Sequence, residues 1–151
     1  TPVTLTVGRV LKTQPVIVPS LRAGLGFLNA AQNLMPGADI GFVGISRDEE
    51  TFEPKPYVNK LPESLTGRTC IVIDPMLATG GSAVQAIDVV KAAGGTEIVF
   101  VCIVAAPEGI ATLQQAHPEV PIHTGAVDRA LNSRKYILPG LGDFGDRLYG
   151  T

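Results

Sequence analysis

The sequence predicts an α/β fold in which an open parallel β-sheet is flanked by helices and carries a projecting β-arm. Short apolar runs alternate with segments of helical spacing from end to end. The 17 glycines and 12 prolines fall mostly between these segments, which is typical of loops that approach a ligand closely. A β-α-β-α-β order favours parallel strands with crossover helices on the faces of the sheet.

The first half of the chain contains three predicted strands and one predicted helix. Residues 15–19 (PVIVP), 40–45 (IGFVGI) and 68–74 (RTCIVID) are short apolar runs, and their β-branched side chains favour strands. Residues 24–35 have apolar positions at helical spacing and stop at a Pro-Gly pair, so they are predicted to form a helix.

The second half continues the alternation. Residues 80–93 are a predicted helix closed by two glycines, and residues 107–117 are another that starts with proline and is followed by proline. Residues 97–105 (EIVFVCIVA) show no polar alternation, so we expect a strand buried on both faces. Residues 120–126 are the last predicted strand.

Residues 47–62 (RDEETFEPKPYVNKLP) interrupt this pattern. They are charged, hold three prolines and have no helical period. Pro54 and Pro56 exclude a helix or a central strand there. We therefore expect a projecting arm, in the form of a loose hairpin, within a single domain that covers residues 1–151.

Composition narrows the class of protein. With 45% apolar and 17% charged residues over 151 positions, the chain is a globular domain rather than a disordered one. A net charge of −2 argues against general nucleic-acid binding, and there is no apolar run long enough to span a membrane. Cys70 and Cys102 lie inside apolar runs, which indicates reduced core thiols and a cytoplasmic protein.

The strongest chemical signal is the segment 71–82 (IVIDPMLATGGS). A buried strand delivers Asp74 at its carboxyl end, where ligands bind in open parallel sheets. Residues 79–82 then open a helix with two glycines and two hydroxyls, which suits a phosphate monoester. No lysine follows the glycines, so this is not a Walker A loop. Asp74 is placed to accept hydrogen bonds from sugar hydroxyls. The alternative interpretation of residues 79–82 is a tight turn capped by a hydroxyl side chain, without a ligand.

This segment resembles the binding motif for phosphoribosyl diphosphate (PRPP) of type I phosphoribosyltransferases, in which a second acid is usual where this chain has Pro75. The variant DPMLATGGS is similar to that of the uracil phosphoribosyltransferase family. The resemblance runs over essentially the whole chain. The other similar segments are 18–26 (VPSLRAGLG), 46–51 (SRDEET), 57–62 (YVNKLP), 104–110 (VAAPEGI) and 136–151 (YILPGLGDFGDRLYGT).

Two arginines follow neighbouring predicted strands. Arg22 and Arg47 at adjacent strand ends are able to clamp a diphosphate through bidentate hydrogen bonds, although a lone arginine at such a place is more often structural or solvated. The resemblance implies that both contact the diphosphate side of PRPP.

The tail holds a literal G-x-G-x-x-G at residues 140–145. A dinucleotide site needs a βαβ unit around this motif, and only six residues follow it, so we expect no such helix. The glycines instead favour a loop whose backbone meets a flat ligand. The resemblance implies that uracil is bound by Ile137, Gly142, Asp143 and Phe144, largely through main-chain groups, and that Asp143 also faces PRPP.

Three positions depart from the family. Phe144 replaces a usual alanine and is expected to narrow the base pocket. Ser20 stands where an aliphatic residue is usual, and Ser46 where an aromatic residue is usual. None of the three removes a proposed ligand group.

The resemblance implies transfer of a phosphoribosyl group from PRPP to uracil, which gives UMP and diphosphate. Arg22, Arg47 and Mg²⁺ would stabilise the leaving diphosphate, and Asp74 would hold the ribose hydroxyls. Asp143 is the candidate for the base that removes the uracil proton, and it completes the expected catalytic set. The residues expected to bind PRPP are Arg22, Arg47, Asp74, Pro75, Met76, Leu77, Ala78, Thr79, Gly80, Gly81, Ser82 and Asp143.

No metal-ligand spacing is present, so Mg²⁺ is expected to arrive bound to PRPP. His117 and His123 are expected at a helix end and on a strand face, without a ligand role. Two other functions stay open: a nucleotide-binding regulator of the same fold without significant catalysis, and an enzyme acting on another nucleobase such as a purine or orotate.

Relatives in the family lead to three further expectations. The chain is expected to lack an amino-terminal segment of several dozen residues. It is expected to form a homodimer or a higher homo-oligomer, with the arm reaching the partner. Some members are activated by GTP, and no residue of this sequence argues for or against such activation.

Overall fold

The computed structural model describes residues 2–47 and 54–151. The helices are α1 (Leu25–Leu34), α2 (Gly81–Ala92), α3 (Pro107–Ala116) and α4 (Phe144–Tyr149). The strands are β1 (Val16–Leu21), β2 (Asp39–Ile40), β3 (Phe42–Arg47), β4 (Pro54–Lys60), β5 (Thr69–Ile73), β6 (Met76–Leu77), β7 (Glu97–Ala105), β8 (Ile122–Val127), β9 (Ala130–Leu131) and β10 (Ile137–Leu138).

The main sheet is mostly parallel. Its strand order is β4-β3-β1-β5-β7-β6, with β2 beside β1 and β8 beside β7. All its neighbouring strands run parallel except β4, which is antiparallel to β3. The expected α/β class with an open parallel sheet and flanking helices is therefore confirmed. The short strands β9 and β10 form a separate antiparallel pair.

The larger core lies between the sheet and helices α2 and α3. Val18, Val72 and Phe100 point from three neighbouring strands toward Ile87 of α2 and Leu113 of α3, and all five are fully buried. A smaller cluster on the opposite face packs the alternate side chains of β1 and β5 against α1. Of the helices in the described ranges, none is long and apolar enough to cross a membrane.

The expectation that residues 97–105 are buried on both faces is wrong. Ile98, Phe100, Cys102 and Val104 of β7 are buried, whereas the side chains between them are partly or largely exposed. The reason is that α2 and α3 cover one face of the sheet, while α1 packs on the other face mainly against β1. An unbroken apolar run does not reveal this difference between the two faces.

The predicted strand 40–45 is divided in two at Gly41. The segments on either side, β2 and β3, pair with β1 in one common register. A Cβ on Gly41 would lie 2.5 Å from the Cδ2 atom of Leu61, so Leu61 occupies the space of the missing side chain. A glycine that admits a neighbouring side chain in this way weakens the strand locally.

The proline-bearing segment contributes strand β4 at one end of the main sheet. Its pairing with β3 matches Phe42 with Lys60 and Arg47 with Pro54, with an irregularity between Gly44 and Ile45. An end position agrees with the exclusion of a central strand that Pro54 and Pro56 imposed. Residues 48–53 of the predicted arm lie outside the described residues.

Candidate active site

Asp74 lies directly beyond β5, at the edge where the parallel strands of the sheet end. Its backbone N–H donates to the Val101 carbonyl (3.1 Å), and its carboxylate oxygen Oδ1 accepts the Met76 N–H (3.2 Å). Burial raises the pKa of Asp74 to about 6, although hydrogen bonds from the Met76 N–H and the Ser20 hydroxyl act to lower it. The carboxylate is thus oriented, and it titrates close to neutral pH.

The loop after Asp74 runs through β6 and turns into α2 at Gly80. Gly80 has φ +86°, in the left-handed region, and a Cβ there would lie 2.8 Å from the Gly109 carbonyl oxygen. A Cβ on Gly109 would in turn lie 2.7 Å from the Leu77 carbonyl oxygen. Two glycines therefore let the loop and α3 touch through their backbones. Gly109 was not singled out from the sequence, although it lies within the similar segment 104–110.

A small cavity of about 90 Å³ opens in this loop. Most of its lining comes from the segment in which the sequence predicts a phosphate site. The lining residues are Asp74, Met76, Leu77, Ala78, Thr79, Gly80, Ser82 and Ala83. Pro75 is buried, and its carbonyl accepts hydrogen bonds from the N–H groups of Ile103 and Val104 of β7. These two bonds hold the loop against β7. Pro75 and Gly81 are not in contact with this cavity.

A second cavity of about 200 Å³ adjoins the first. The two cavities share Met76 and Ala78 as wall residues. The full lining of the second cavity is Ala23, Met76, Ala78, Lys135, Tyr136, Ile137, Gly142, Asp143, Phe144 and Gly145. All four residues expected to bind a base, from Ile137 to Phe144, are thus brought together.

The tail contains a short helix, which the sequence reading of residues 140–145 did not include. Asp143 is the N-cap of α4, and its Oδ1 atom accepts the Asp146 N–H (2.9 Å). An aspartate followed three residues later by a second acid, as in Asp143-Phe-Gly-Asp146, is a signal for a helix start. The conclusion that no dinucleotide-binding unit is formed is unaffected, because α4 has only six residues.

Arg22 contacts the tail helix and lines neither cavity. Its guanidinium lies 3.9 Å from Asp146 and 6.0 Å from the ring centre of Tyr149, whose hydroxyl donates to the Arg22 carbonyl (3.3 Å). The side chain is 59% exposed. The backbone of Arg47 ends β3 at the same edge of the sheet, and its side chain lies outside the described residues.

Sequence reasoning missed Ala23, Lys135, Tyr136 and Gly145 as cavity residues. Lys135 has φ +67°, which is uncommon for a residue other than glycine. The turn is held by Asn132, whose side-chain oxygen accepts the N–H groups of Arg134 (2.9 Å) and Tyr136 (3.0 Å). The Asn-Ser pair at 132–133 is a turn signal that was available in the sequence.

The histidines lie away from both cavities. His117 caps the end of α3 and is buried, with its Nδ1 atom 2.7 Å from the Lys91 ammonium and its Nε2 atom 3.3 Å from Asp88. His123 is exposed on β8. Within residues 2–47 and 54–151, no group of three histidine, cysteine or acidic side chains is placed to hold a metal ion.

Comparison with known proteins identifies the family. The family model described as uracil phosphoribosyltransferase matches residues 1–151. The chain belongs to the uracil phosphoribosyltransferase family. It is 55% identical to the uracil phosphoribosyltransferase of Streptococcus agalactiae and 54% identical to that of Streptococcus mutans, in each case over all of this chain and 73% of the relative.

Solved structures agree with this membership. The AQ2163 protein from Aquifex aeolicus is 47% identical and has a TM-score of 0.82, over 90% of this chain and 65% of that one. A purine phosphoribosyltransferase from Pyrococcus horikoshii shares the fold at 17% identity, with a TM-score of 0.65 over 78% of this chain and 72% of that one. The predicted family and the phosphoribosyltransferase fold are both confirmed.

Proposed function

We propose that the chain transfers the phosphoribosyl group of magnesium-bound PRPP to uracil. In this reaction the bond between the anomeric carbon and the diphosphate oxygen breaks, a bond from that carbon to N1 of uracil forms, and N1 loses its proton. The products are UMP and diphosphate. The observation that carries this proposal is the pair of adjoining cavities, one at a phosphate-type loop and one at a glycine-rich base loop, with a common wall.

The phosphate loop supplies binding energy far from the reacting carbon. Residues 79–82 would hold the 5′-phosphate with backbone N–H groups and two hydroxyls, at the start of α2. An anchored phosphate fixes the ribose relative to the base cavity, which converts a bimolecular encounter into a positioned one. Asp74, which lines the same cavity, would accept hydrogen bonds from the ribose hydroxyls.

The leaving diphosphate gains negative charge as its bond to the ribose breaks. Arg22 follows β1 and Arg47 is the last residue of β3, and we assign both to the diphosphate side of PRPP, together with the Mg²⁺ ion that the substrate carries. Arg22 is paired with Asp146 at 3.9 Å, so engaging the diphosphate requires its guanidinium to leave that contact. The exposure of the pair makes this exchange inexpensive.

The base cavity suits a flat ring with alternating carbonyl and N–H groups. Ile137 is positioned by the pairing of β10 with β9, and Gly142, which has no side chain, lines the same cavity. We assign uracil to Ile137, Gly142, Asp143 and Phe144. Asp143 is also our candidate for accepting the N1 proton, since the residue lines this cavity and carries a carboxylate.

The test is to incubate the protein with Mg²⁺, PRPP and uracil, adenine, guanine or orotate in turn, and to measure diphosphate and nucleotide. UMP formed with uracil alone supports the proposal. Product with another base instead indicates an enzyme of different specificity, and UMP binding without turnover with any base indicates a regulator. Adding GTP to the uracil reaction tests activation in the same experiment.

Site-directed variants test the role of Asp74. Asp74→Asn is expected to lose turnover, because the amide supplies only one acceptor to the ribose hydroxyls. Asp39→Asn is the matched control, since Asp39 pairs with Arg68 (2.7 Å) at the opposite edge of the sheet. Undiminished turnover in Asp74→Asn contradicts the role given to this carboxylate.

We further propose that the protein is cytoplasmic and forms a homodimer or a higher homo-oligomer. Cys70 and Cys102 are buried and unpaired, which suits a reducing compartment. Exposed apolar side chains such as Leu34 (81% exposed) favour association. Light scattering coupled to gel filtration measures the oligomeric state directly.

A further inference from the structure

Ser20 is an unusual core residue of this chain. It lies in β1 with only 4% of its surface exposed, and within the described ranges only one other buried residue, His117, carries a polar side chain. A buried hydroxyl needs a hydrogen-bond partner to offset the loss of water. The partner identifies what the hydroxyl is for.

Strand register brings Ser20 next to Asp74. The β1–β5 ladder ends with Pro19 opposite Ile73, so the next residues along both strands are Ser20 and Asp74. Both follow Val18 and Val72 at an interval of two residues, which puts them on the face covered by α2. This register places the buried Ser20 hydroxyl beside the Asp74 carboxylate, where hydrogen bonding by Ser20 acts to lower the pKa of Asp74.

The neighbour on the other side of Asp74 behaves differently. Ile73 pairs with Val101 in β7, so Cys102 follows at the same level as Asp74. Burial raises the pKa of the Cys102 thiol and the charge of Asp74 raises it further, while Thr124 acts to lower it. Of the two side chains that flank Asp74 in the sheet, Ser20 is the one that acts to lower the pKa of Asp74.

We propose that Ser20 is a positioning residue for the proposed transfer reaction: its hydroxyl fixes the Asp74 carboxylate as an acceptor for the ribose hydroxyls of PRPP. The inference rests on the function proposed above. The Met76 N–H donates to the carboxylate (3.2 Å), and the register places the Ser20 hydroxyl beside it as a second donor. Its remaining lone pairs are left for the sugar.

The hydroxyl also sets the pH range of the site. Donation to a carboxylate favours the ionised form, which opposes the burial that raises the pKa of Asp74. Without the hydroxyl, Asp74 stays buried but loses one hydrogen-bond donor, so the pKa of Asp74 rises further. The ionised form then prevails only at higher pH. Cys102 is the titratable group that faces Asp74 from β7.

The kinetic test compares Ser20→Ala with Ser20→Thr, which keeps the hydroxyl, across pH 5.5 to 8.5. On the acid side of the pH profile, kcat/KM for PRPP falls as Asp74 takes up a proton, and we call this fall the acid limb. In Ser20→Ala the midpoint of the acid limb is expected to move up by about one pH unit. The loss is then about fivefold at pH 6 and small at pH 8. Ser20→Thr is expected to keep the limb of the wild-type protein.

Cys102→Ala is the matched control, because it shortens the other flanking side chain without removing a donor to Asp74. It is expected to leave the acid limb in place. The proposal is overturned if Ser20→Ala leaves the limb unchanged, or if Cys102→Ala moves it equally.

A second measurement separates this proposal from the proposed function. The carboxyl carbon of Asp74 is followed by ¹³C NMR during a pH titration, with Asp74→Asn used to assign its signal. A higher titration midpoint in Ser20→Ala supports the role of Ser20 even if the wild-type protein forms no UMP. An unchanged midpoint in this variant refutes the role of Ser20, whatever the activity.

Discussion

The α-carbon of Gly109 in α3 lies directly against the backbone carbonyl of Ala78, at the wall that both cavities share. Gly109→Ala adds a methyl group between two backbones that have no side chain to displace. We expect a loss of roughly 1–3 kcal/mol in the free energy of unfolding and a raised KM for PRPP. Thermal denaturation and initial rates measure both.

Gln114→Ala, at an exposed position of the same helix, is the control for Gly109→Ala. It is expected to leave stability and KM almost unchanged. Normal stability and KM in Gly109→Ala would show that α3 moves away from the loop without cost. This result would contradict the importance of the close backbone contact.

Asp74 makes stability depend on pH in a direction opposite to that of most carboxylates. Its pKa is raised to about 6 from 3.8, so the folded protein retains a proton that the unfolded chain has released. The free energy of unfolding should therefore decline as pH rises from about 4 to about 6 and level off above that. Asp74→Asn is expected to remove this slope and to gain about 3 kcal/mol at pH 7.

Urea denaturation of the wild-type protein and Asp74→Asn at pH 5 and pH 7 measures this dependence. The difference in the free energy of unfolding between pH 5 and pH 7 is taken within each protein and then compared between the two. Other groups titrate equally in both proteins, so their contribution cancels. Equal slopes in the two proteins would contradict the effect of burial on this carboxyl group.

Asp143 is the cap of α4, and we have also assigned it a charge role in the cavity proposed to bind the base. Asp143→Ala removes both and is expected to cost about 1 kcal/mol of stability along with activity. Asp143→Asn keeps a capping oxygen, so it should retain stability and lose the charge alone. Thermal denaturation and the KM for uracil distinguish them, and an active Asp143→Asn protein would exclude proton removal by this side chain.

Lys135 adopts a left-handed backbone conformation, with φ +67°. A side chain in this region is unfavourable by about 1 kcal/mol relative to glycine. Lys135→Gly is therefore expected to raise the melting temperature by several degrees. Lys135→Ala, which keeps the Cβ and loses the ammonium, should not raise it, and a similar gain in both variants would assign the effect to the charge.

Local patterns predicted the elements that depend on local chemistry. Strand β7 spans the predicted residues 97–105, and helix α3 ends within one residue of the predicted boundary because a proline follows it. The strand, the loop and the helix start of the predicted phosphate site follow in the expected order for the same reason, since an acid after a buried strand and glycines before a helix are neighbours in sequence. The four residues assigned to uracil line one cavity because they belong to one short loop and the strand before it.

Relationships between distant segments were not predictable in this way. Tyr149 donates to the carbonyl of Arg22, 127 positions away, and nothing in either segment indicates the contact. The partial exposure of β7 depends on how many helices pack on each face, which no strand sequence contains. In the sequence, Ser20 is only a serine where an aliphatic residue is usual. Its position beside Asp74 becomes visible only from the register of β1 and β5.

Met76 and Ala78 line both cavities, which predicts that the two substrates we propose bind cooperatively. A ligand that immobilises this wall from one side leaves less conformational entropy for the second ligand to remove. Thermodynamic reciprocity then requires each ligand to raise the affinity of the other by the same factor. Calorimetric titration of uracil with and without a non-reactive PRPP analogue measures that factor, and a value of one would mean that the shared wall is already rigid.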